Sequence, residues 1–335
     1  MTVTDSEARA ATTTVGGTFV VLMPIYEDWE SASVLVGRVQ SALAGLVDGV
    51  EFLLVNDGSV APPPAAIALG DAPAARVDVL HLRRNLGHQR AIAVGLSHVH
   101  AHRPCDGVVV MDGDGEDTPD GVARLLRRFA EVGRAHTVFA ERARRTEGAL
   151  FRTFYVLYRW LHQMLTGRGV RVGNFSVVPR AHLDRLVAVS ELWNHYAASV
   201  FRARLPVATT PIDRGYRIAG ASRMNFTSLL AHGLSAISVF SDVVGMRLLV
   251  LSGALVLVAG GGIVAAACVR AFTDLAIPGW ATNVAGILLV VILQALLMAV
   301  AFVFLILQSR NQTAFLPIRD YGYFVDREEA IARAP

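Results

Sequence analysis

The chain has 335 residues, of which 53% are hydrophobic and 18% are charged, and its formal net charge is +3. This hydrophobic share is high for a wholly soluble protein and indicates membrane segments. The modest charge and the lack of a basic patch interleaved with aromatic residues argue against a nucleic acid partner, and two cysteines do not suggest a disulfide framework.

Short apolar runs alternate with amphipathic stretches in the amino-terminal part of the chain. Residues 1–17 lack the basic start and apolar core of a secretory signal, and we expect them to be disordered. The predicted strands are Phe19–Met23, Phe52–Val55, Val77–Leu80, Val108–Met111 and Thr137–Ala140, and the predicted helices are Ser31–Leu46, Gly87–His102 and Gly121–Val132. Apolar strands that alternate with helices predict an α/β domain over residues 18–222, with a mainly parallel sheet covered on both faces.

Polar residues gather after the carboxyl ends of these strands. The stretches are PIYED at 24–28, NDGS at 56–59, RRNLG at 83–87 and DGDGEDTPD at 112–120. Open α/β sheets bind ligands outside the carboxyl ends of their strands. The sequence therefore predicts a binding site at this edge of the sheet.

Five carboxylates fall within nine positions after Val108–Met111, and such crowding is unfavourable unless a positive partner lies among them. Asp112 and Asp114 could share Mg²⁺ or Mn²⁺, which prefer oxygen ligands and are usually held by one or two carboxylates plus substrate phosphates. A metal ion there would also neutralise a departing diphosphate. Taken alone, an Asp-x-Asp pair is more often a solvated turn, so its context decides.

The carboxy-terminal part of the chain contains two long uncharged stretches, 248–269 and 275–309. About 20 helical residues cross a bilayer core, so these predict a transmembrane hairpin over 246–309, preceded by an interfacial helix over 223–245 and followed by a cytoplasmic tail over 310–335. Arg247, Arg310 and Arg319 favour a cytoplasmic catalytic domain at the cell (inner) membrane. Small residues between Gly253 and Gly262 could pack the two spans together or drive homo-oligomers.

Several motifs occur together and in order: PIYED, NDGS, RRNLGHQRAIAVG, MDGDGEDTPD, GNFSVVPR and RGYRIAGASRMN, followed by the hairpin. This set resembles glycosyltransferase family 2, most of all the branch with dolichyl-phosphate mannose synthase and the bacterial polyprenyl-phosphate glycosyltransferases. The resemblance covers nearly everything from Phe19 to about Gln308. It implies a Rossmann-like nucleotide-diphospho-sugar transferase domain of the GT-A type, a divalent metal ion, and transfer of a hexose from a UDP- or GDP-linked donor onto a polyisoprenyl phosphate.

Position by position, the resemblance also implies roles for individual residues. Those around the nucleotide are Pro24, Tyr26, Asp28, Asp57 and Asp112, with Asp28 where the family usually has Glu. Asp112 and Asp114 match the pair that holds the metal ion and the diphosphate, and Asp114, Asp117 and Asn174 occupy catalytic positions. Arg214, Arg217 and Arg223 match basic positions at the acceptor phosphate, a role that suits the bidentate guanidinium group, although they could instead touch lipid headgroups.

Asn174 departs from the family, which commonly has Asp in a Gly-Asp-Phe element. Asn cannot act as a general base, but a phosphate monoester is already anionic at neutral pH and needs positioning more than deprotonation. A hydroxyl-bearing lipid or glycan acceptor would need a base, which only Asp117 could supply. That acceptor remains one alternative, and a non-catalytic nucleotide-sugar-binding membrane module is another.

Overall fold

The computed structural model describes residues 14–67, 69, 75–142, 163–167, 172–219, 233–273, 277–311 and 315–333. These residues belong to two compact units. The first contains the sheet, including the chain's last described residues, and the second contains residues 163–167 and two long helices from Phe240 onwards.

The first unit is built on one sheet of eight strands. In chain order these are β1 (Thr18–Ile25), β2 (Gly49–Asn56), β3 (Ala75–Leu82), β4 (Gly107–Val110), β5 (Thr137–Arg142), β6 (Val172–Pro179), β7 (Val207–Ile212) and β8 (Val325–Arg333). Their order across the sheet is β7-β5-β6-β4-β1-β2-β3-β8. Strands β4, β1, β2 and β3 are parallel to one another, whereas β6 is antiparallel to both its neighbours and β8 is antiparallel to β3.

Helices cover both faces of this sheet. The helices of the first unit are α1 (Trp29–Leu43), α2 (His88–His102), α3 (Pro119–Glu131), α4 (Arg180–Val187), α5 (Tyr196–Arg202) and the short α8 (Pro317–Asp320), which follows the two helices of the second unit in the chain. One core lies between the sheet and α1 and α3, and the other lies between the sheet and α2, α4 and α5. Strand β1 is buried from Phe19 to Ile25 because both of its faces contribute to a core, which explains its unbroken apolar sequence.

The predicted α/β fold is confirmed: a mixed eight-stranded sheet is followed by two long apolar helices. All five predicted strands and all three predicted helices are present, with ends that differ by a few residues. The sheet is less uniformly parallel than the sequence predicted, because β6 and β8 enter it in the opposite direction. The antiparallel strands matter for the site, since they bring the beginnings of β6 and β8 to the edge where the parallel strands end.

Strand β8 lies within the segment predicted as a tail, where the sequence analysis assigned no secondary structure. Its pairing with β3 is reinforced by Arg103 at the end of α2, whose side chain is 6% exposed. Arg103 donates to Asp78 on β3 (2.7 Å) and pairs with Glu328 on β8. A buried arginine between two strands thus fixes the carboxy-terminal segment to the sheet.

The second unit contains the helices α6 (Ser241–Phe272) and α7 (Trp280–Asn311). Residues 241–272 and 280–308 are long and apolar enough to cross a membrane, judged by length and composition. Most of their large apolar side chains are not covered by other parts of the chain, as expected of helices that require an apolar surrounding. Of the predicted interfacial helix, residues 223–232 lie outside the described part of the chain, and 233–238 are helical.

Candidate active site

The candidate site lies at the carboxyl ends of the central parallel strands. Because β6 is antiparallel to β4, with Val110 opposite Ser176, Asn174 lies beside the residues that follow β4. Because β8 is antiparallel to β3, with Leu82 opposite Val325, the beginning of β8 lies at the end of β3, and the carboxylate of Asp326 is 3.8 Å from the guanidinium of Arg83. The sheet topology therefore gathers residues from six strands along one edge.

Residues 112–118, which follow β4, form a compact loop that we call the acidic turn. The backbone N–H of Asp112 donates to the carboxylate of Asp117 (2.9 Å), and the N–H of Glu116 donates to Asp114 Oδ1 (2.9 Å). Thr118 caps α3 by accepting from the N–H of Gly121. Two of the predicted site carboxylates, those of Asp114 and Asp117, thus also shape the turn that carries them.

Positive charge reaches the acidic turn from residues 213–219, which we call the arginine segment. Arg217 Nη2 donates to Asp114 Oδ2 at 2.8 Å, and Arg214 pairs with Glu116. The side chains of Arg217 and Asp114 are 21% and 12% exposed, so this pair is largely shielded from water. Arg214 and Arg217 are thus positive partners of the acidic turn that the sequence analysis assigned only to the acceptor phosphate.

The arginine segment lies directly on the acidic turn. The N–H of Gly215 donates to the carbonyl of Glu116 (2.8 Å), and the N–H of Ile218 donates to the carbonyl of Asp114 (2.9 Å). Glycine is needed on both sides: a Cβ on Gly215 would lie 2.9 Å from the Gly115 carbonyl oxygen, and Gly115 itself has φ +93°. The contact is therefore built into the backbone as well as into the ion pairs.

His88, at the start of α2, lies at the centre of the site, although the sequence analysis did not select it. Its Nε2 atom is 3.2 Å from Asp112 Oδ1 and 2.9 Å from Asn174 Nδ2. Burial lowers the pKa of His88, but the carboxylates of Asp112, Asp57 and Asp114 more than offset this and raise it above its usual value. His88 lies within the RRNLGHQRAIAVG motif, but only the fold shows that it contacts Asp112 and Asn174.

The amide of Asn174 is fixed by a chain of hydrogen bonds that begins in α5. The backbone N–H of Tyr196 donates to Gln89 Oε1 (2.7 Å), and Gln89 Nε2 donates to Asn174 Oδ1 (3.1 Å). The backbone donor fixes the orientation of both amides, so Nδ2 of Asn174 faces His88. Asn174 is thus in the site, as the sequence predicted, but as a neutral amide.

Asp57, after β2, holds the loop that precedes α2. Its carboxylate accepts from the N–H groups of Leu86 (2.6 Å) and Gly87 (2.9 Å). Burial raises the pKa of Asp57, an effect that these two hydrogen bonds oppose. Gly58 allows the close approach, because a Cβ there would lie 2.6 Å from the backbone nitrogen of Asn85.

The remaining residues that the sequence predicts to bind the nucleotide lie at the end of β1. Pro24 is buried and its carbonyl oxygen lies near Gly113, whereas Tyr26 and Asp28 are in the loop between β1 and α1 and are at least partly exposed. Glu27, which the sequence analysis did not select, accepts from the N–H groups of Val60 and Ala61 and so joins this loop to the one after β2. Of the predicted acceptor arginines, Arg223 lies outside the described residues.

A cavity of about 430 Å³ opens beside Asp57. It is lined by residues from the ends of β2 and β3 and the beginning of β8, among them Asn56, Gly58, His81, Arg84, Asp326 and Arg327. Its volume lies in the range of small-molecule sites, roughly 300–1,000 Å³. Strand β8 therefore contributes two charged side chains to the edge where ligands are expected.

The donor atoms fit a hard divalent cation only in part. Asp112 and Asp114 supply the carboxylate oxygens that Mg²⁺ and Mn²⁺ prefer. No group of three or more His, Cys, Asp or Glu side chains within the described residues is arranged to hold a metal ion. A cation here would therefore be held by one or two carboxylates, with its remaining positions taken by diphosphate oxygens and water.

Together, the mixed sheet and its polar edge define an α/β domain with an acidic ligand site after β4. Comparison with known proteins gives its family: residues 20–178 match the family described as glycosyl transferase family 2. This segment resembles that family, and it is distantly similar to polyprenyl-phosphate sugar transferases.

Individual relatives are distant. An uncharacterized glycosyltransferase, YkcC, from Bacillus subtilis is 24% identical over 79% of this chain and 81% of its own length. An undecaprenyl-phosphate 4-deoxy-4-formamido-L-arabinose transferase from Sodalis glossinidius is 33% identical over 50% of this chain, which spans about half the length of that relative. Glucosyl-3-phosphoglycerate synthase from Mycobacterium tuberculosis, in complex with Mn²⁺, UDP-glucose and phosphoglyceric acid, has 20% identity and a TM-score of 0.48 over 73% of this chain and 84% of its own.

Proposed function

We propose that the protein is an inverting glycosyltransferase that moves a hexose from a UDP- or GDP-linked donor onto a polyisoprenyl phosphate at the cytoplasmic face of the cell membrane. The observation that carries this proposal is the contact between the acidic turn and the arginine segment. Arg217 contacts Asp114 and Arg214 contacts Glu116, so two guanidinium groups, which can bind a phosphate, lie beside the carboxylates to which we assign the metal ion and the donor diphosphate.

The neutral side chain of Asn174 supports a phosphate acceptor over a hydroxyl acceptor. An Asp at this position would add another carboxylate beside Asp112 and would repel an incoming phosphate. The carboxylate of Asp117, the remaining base for a hydroxyl acceptor, already accepts the N–H of Asp112. A phosphate that is anionic at neutral pH requires neither group to remove a proton.

The long apolar helices support a lipid acceptor. Inserted as a hairpin, α6 and α7 would hold the site at the membrane surface, where the phosphate of a polyisoprenyl lipid lies. Arg247 and Arg319 lie near the ends of this hairpin and favour the cytoplasmic side. The distant undecaprenyl-phosphate sugar transferases among the relatives are consistent with the same acceptor class.

In the proposed reaction, the nucleoside of the donor lies against Asp57 and the cavity beside it, and the diphosphate lies along the acidic turn. An oxygen of the lipid phosphate attacks the anomeric carbon while the bond from that carbon to the diphosphate breaks, so one displacement inverts the configuration. A bound divalent cation, held by Asp112 and Asp114, would supply charge neutralisation for the departing diphosphate. Arg214, Arg217 and Arg223 orient the attacking phosphate.

The test is to incubate the 335-residue chain in lipid nanodiscs with Mn²⁺, radiolabelled UDP- and GDP-sugars, and either a polyprenyl phosphate or a neutral lipid. We expect label in the polyprenyl phosphate fraction, lost in Asp114→Ala and retained in Asp120→Ala, whose carboxylate is exposed and outside the acidic turn. Transfer to the neutral lipid alone would favour a hydroxyl acceptor. Nucleotide binding without any transfer would favour a non-catalytic module, and both results contradict the proposal.

A further inference from the structure

Asn174 is held from two sides by one residue, Tyr196, at the start of α5. On one side the backbone N–H of Tyr196 donates to Gln89 Oε1 (2.7 Å), and Gln89 Nε2 donates to Asn174 Oδ1 (3.1 Å). On the other side Ser176 Oγ lies 2.6 Å from the phenol oxygen of Tyr196 and donates to the backbone carbonyl of Asn174 (2.8 Å). Tyr196 and Ser176 are fully buried, so both the side chain and the backbone of Asn174 are attached to the core.

The order of donors and acceptors fixes which end of the Asn174 amide faces the site. A backbone N–H can only donate, so Gln89 presents its oxygen to Tyr196 and its nitrogen to Asn174. Asn174 then presents its oxygen to Gln89 and turns its nitrogen towards His88, with Nδ2 at 2.9 Å from Nε2. An amide nitrogen carries two hydrogens, so Nδ2 can serve His88 and one further acceptor.

A neutral N–H donor at this position suits an anionic ligand. A hydrogen bond to a charged group is stronger than one between neutral groups, and its loss lowers affinity about tenfold or more. The opposite orientation of the same amide would present Oδ1, whose partial negative charge repels a phosphate. The orientation of the amide therefore decides whether Asn174 attracts or repels an anion, and Gln89 sets that orientation.

We propose that Gln89 is a positioning residue for the acceptor: it turns Asn174 so that Nδ2 donates a hydrogen bond to the acceptor phosphate. This inference rests on the proposed function, in which a polyisoprenyl phosphate is the nucleophile, and it names the residue that adapts the site to an anion. Gln89 acts only through Asn174, and the hydrogen bonds that orient the amide are all made by atoms of the protein.

The first experiment uses Gln89→Glu, a change of nearly equal shape, in the 335-residue chain in nanodiscs. One carboxylate oxygen still accepts the Tyr196 N–H, but the other now requires a donor from Asn174, so the amide turns over and presents Oδ1 to the site. With farnesyl phosphate as the probe, we expect an affinity about tenfold below that of the wild type. The affinity for UDP or GDP and the melting temperature should not change. Farnesol, which lacks the phosphate, should bind both proteins equally.

A double-mutant cycle separates the orientation of the amide from the added negative charge. In an Asn174→Ala background there is no amide to turn, so Gln89→Glu should lower the affinity for farnesyl phosphate by less than about twofold. Gln89→Met adds no charge but releases the amide, and it should lower the affinity only when Asn174 is present. An equal loss from Gln89→Glu in both backgrounds would show that charge alone is responsible. That result, or wild-type affinity in Gln89→Glu, would overturn the proposal.

A second measurement follows the amide directly. In protein labelled with ¹⁵N in asparagine side chains, the signal that is absent in Asn174→Ala should move when farnesyl phosphate is added to the wild type, and should stay in place in Gln89→Glu. A wild-type signal that is insensitive to the probe refutes the contact, even if the chain transfers sugar to a polyprenyl phosphate. A signal that responds in the wild type but not in Gln89→Glu, without sugar transfer to any lipid phosphate, supports the role of Gln89 and refutes the proposed function instead.

Discussion

Replacing Arg103 with methionine tests whether β8 is fixed to the sheet by the buried charge network. The guanidinium group contacts Asp78 (2.7 Å), Glu51 (3.1 Å) and Glu328, and the side chains of Arg103 and Asp78 are 6% and 2% exposed. Methionine keeps most of the aliphatic volume but leaves the Asp78 carboxylate buried with Arg76 as its remaining ion-pair partner among the described residues.

Removing one member of a buried ion pair costs roughly 3–5 kcal/mol, and because Arg76 stays in place we expect about 3 kcal/mol for Arg103→Met. A domain of this size loses about 2–4 °C of melting temperature per kcal/mol, so the expected decrease is about 6–12 °C. Differential scanning fluorimetry of the purified chain measures it, and limited proteolysis should show earlier cleavage between the hairpin and β8.

Arg128→Met is the matched control, because Arg128 pairs with Glu131 and both side chains are exposed. Its effect should be below about 1 kcal/mol, as for other surface pairs. A melting temperature for Arg103→Met within 2 °C of the control would refute the claim that this network holds β8 to the sheet.

Three further predictions concern local features of the first unit. Gly58→Ala should lose at least about 1 kcal/mol of stability, because the added Cβ would meet the Asn85 backbone. It should also weaken the binding of UDP or GDP, measured by calorimetry. Gly45→Ala is the control, because Gly45 has a similar positive φ but open space around it, and this variant should keep its nucleotide affinity. Tyr196→Phe removes the hydrogen bond between the buried phenol and Ser176, so the free energy of unfolding measured by chemical denaturation should fall by about 1 kcal/mol. An unchanged denaturation midpoint would show that this hydrogen bond does not stabilise the fold. Burial raises the pKa of Cys105 to about 11 against the opposing charge of Arg180, so alkylation by iodoacetamide in a Cys268→Ser background should accelerate about tenfold per pH unit from pH 7 to 10. A plateau below pH 9 would contradict that pKa.

The sequence predicted the parts of the fold that depend on local apolar patterning. Strands β1 to β5 and helices α1 to α3 were found because continuous apolar runs and helical spacing are visible without tertiary information. Strand β8 was missed because Val325–Arg333 is rich in charged residues. The partners of Glu328, Arg103 and Arg76, are more than 200 positions away in the chain, so only the folded structure shows why such a segment can pair as an edge strand.

The sequence likewise predicted some residues of the candidate site and missed others. The acidic turn and Asp57 follow apolar strands, so their place at the sheet edge could be inferred. The arginine segment was assigned to the acceptor, but its contact with Asp114 could not be inferred because it depends on backbone hydrogen bonds over about 100 residues. His88 lies within the RRNLGHQRAIAVG motif but was assigned no role, and its place in the site follows only from its distances to Asp112 and Asn174.

The most direct test of the central claim is the phosphorus NMR spectrum of a polyprenyl phosphate before and after incubation with the enzyme, the donor and Mn²⁺. The account predicts that the lipid phosphate monoester signal is replaced by a phosphodiester signal, with coupling to the anomeric proton of the sugar in the inverted configuration. A monoester signal that persists while donor is consumed would show that the phosphate is not the nucleophile, and the account would be contradicted.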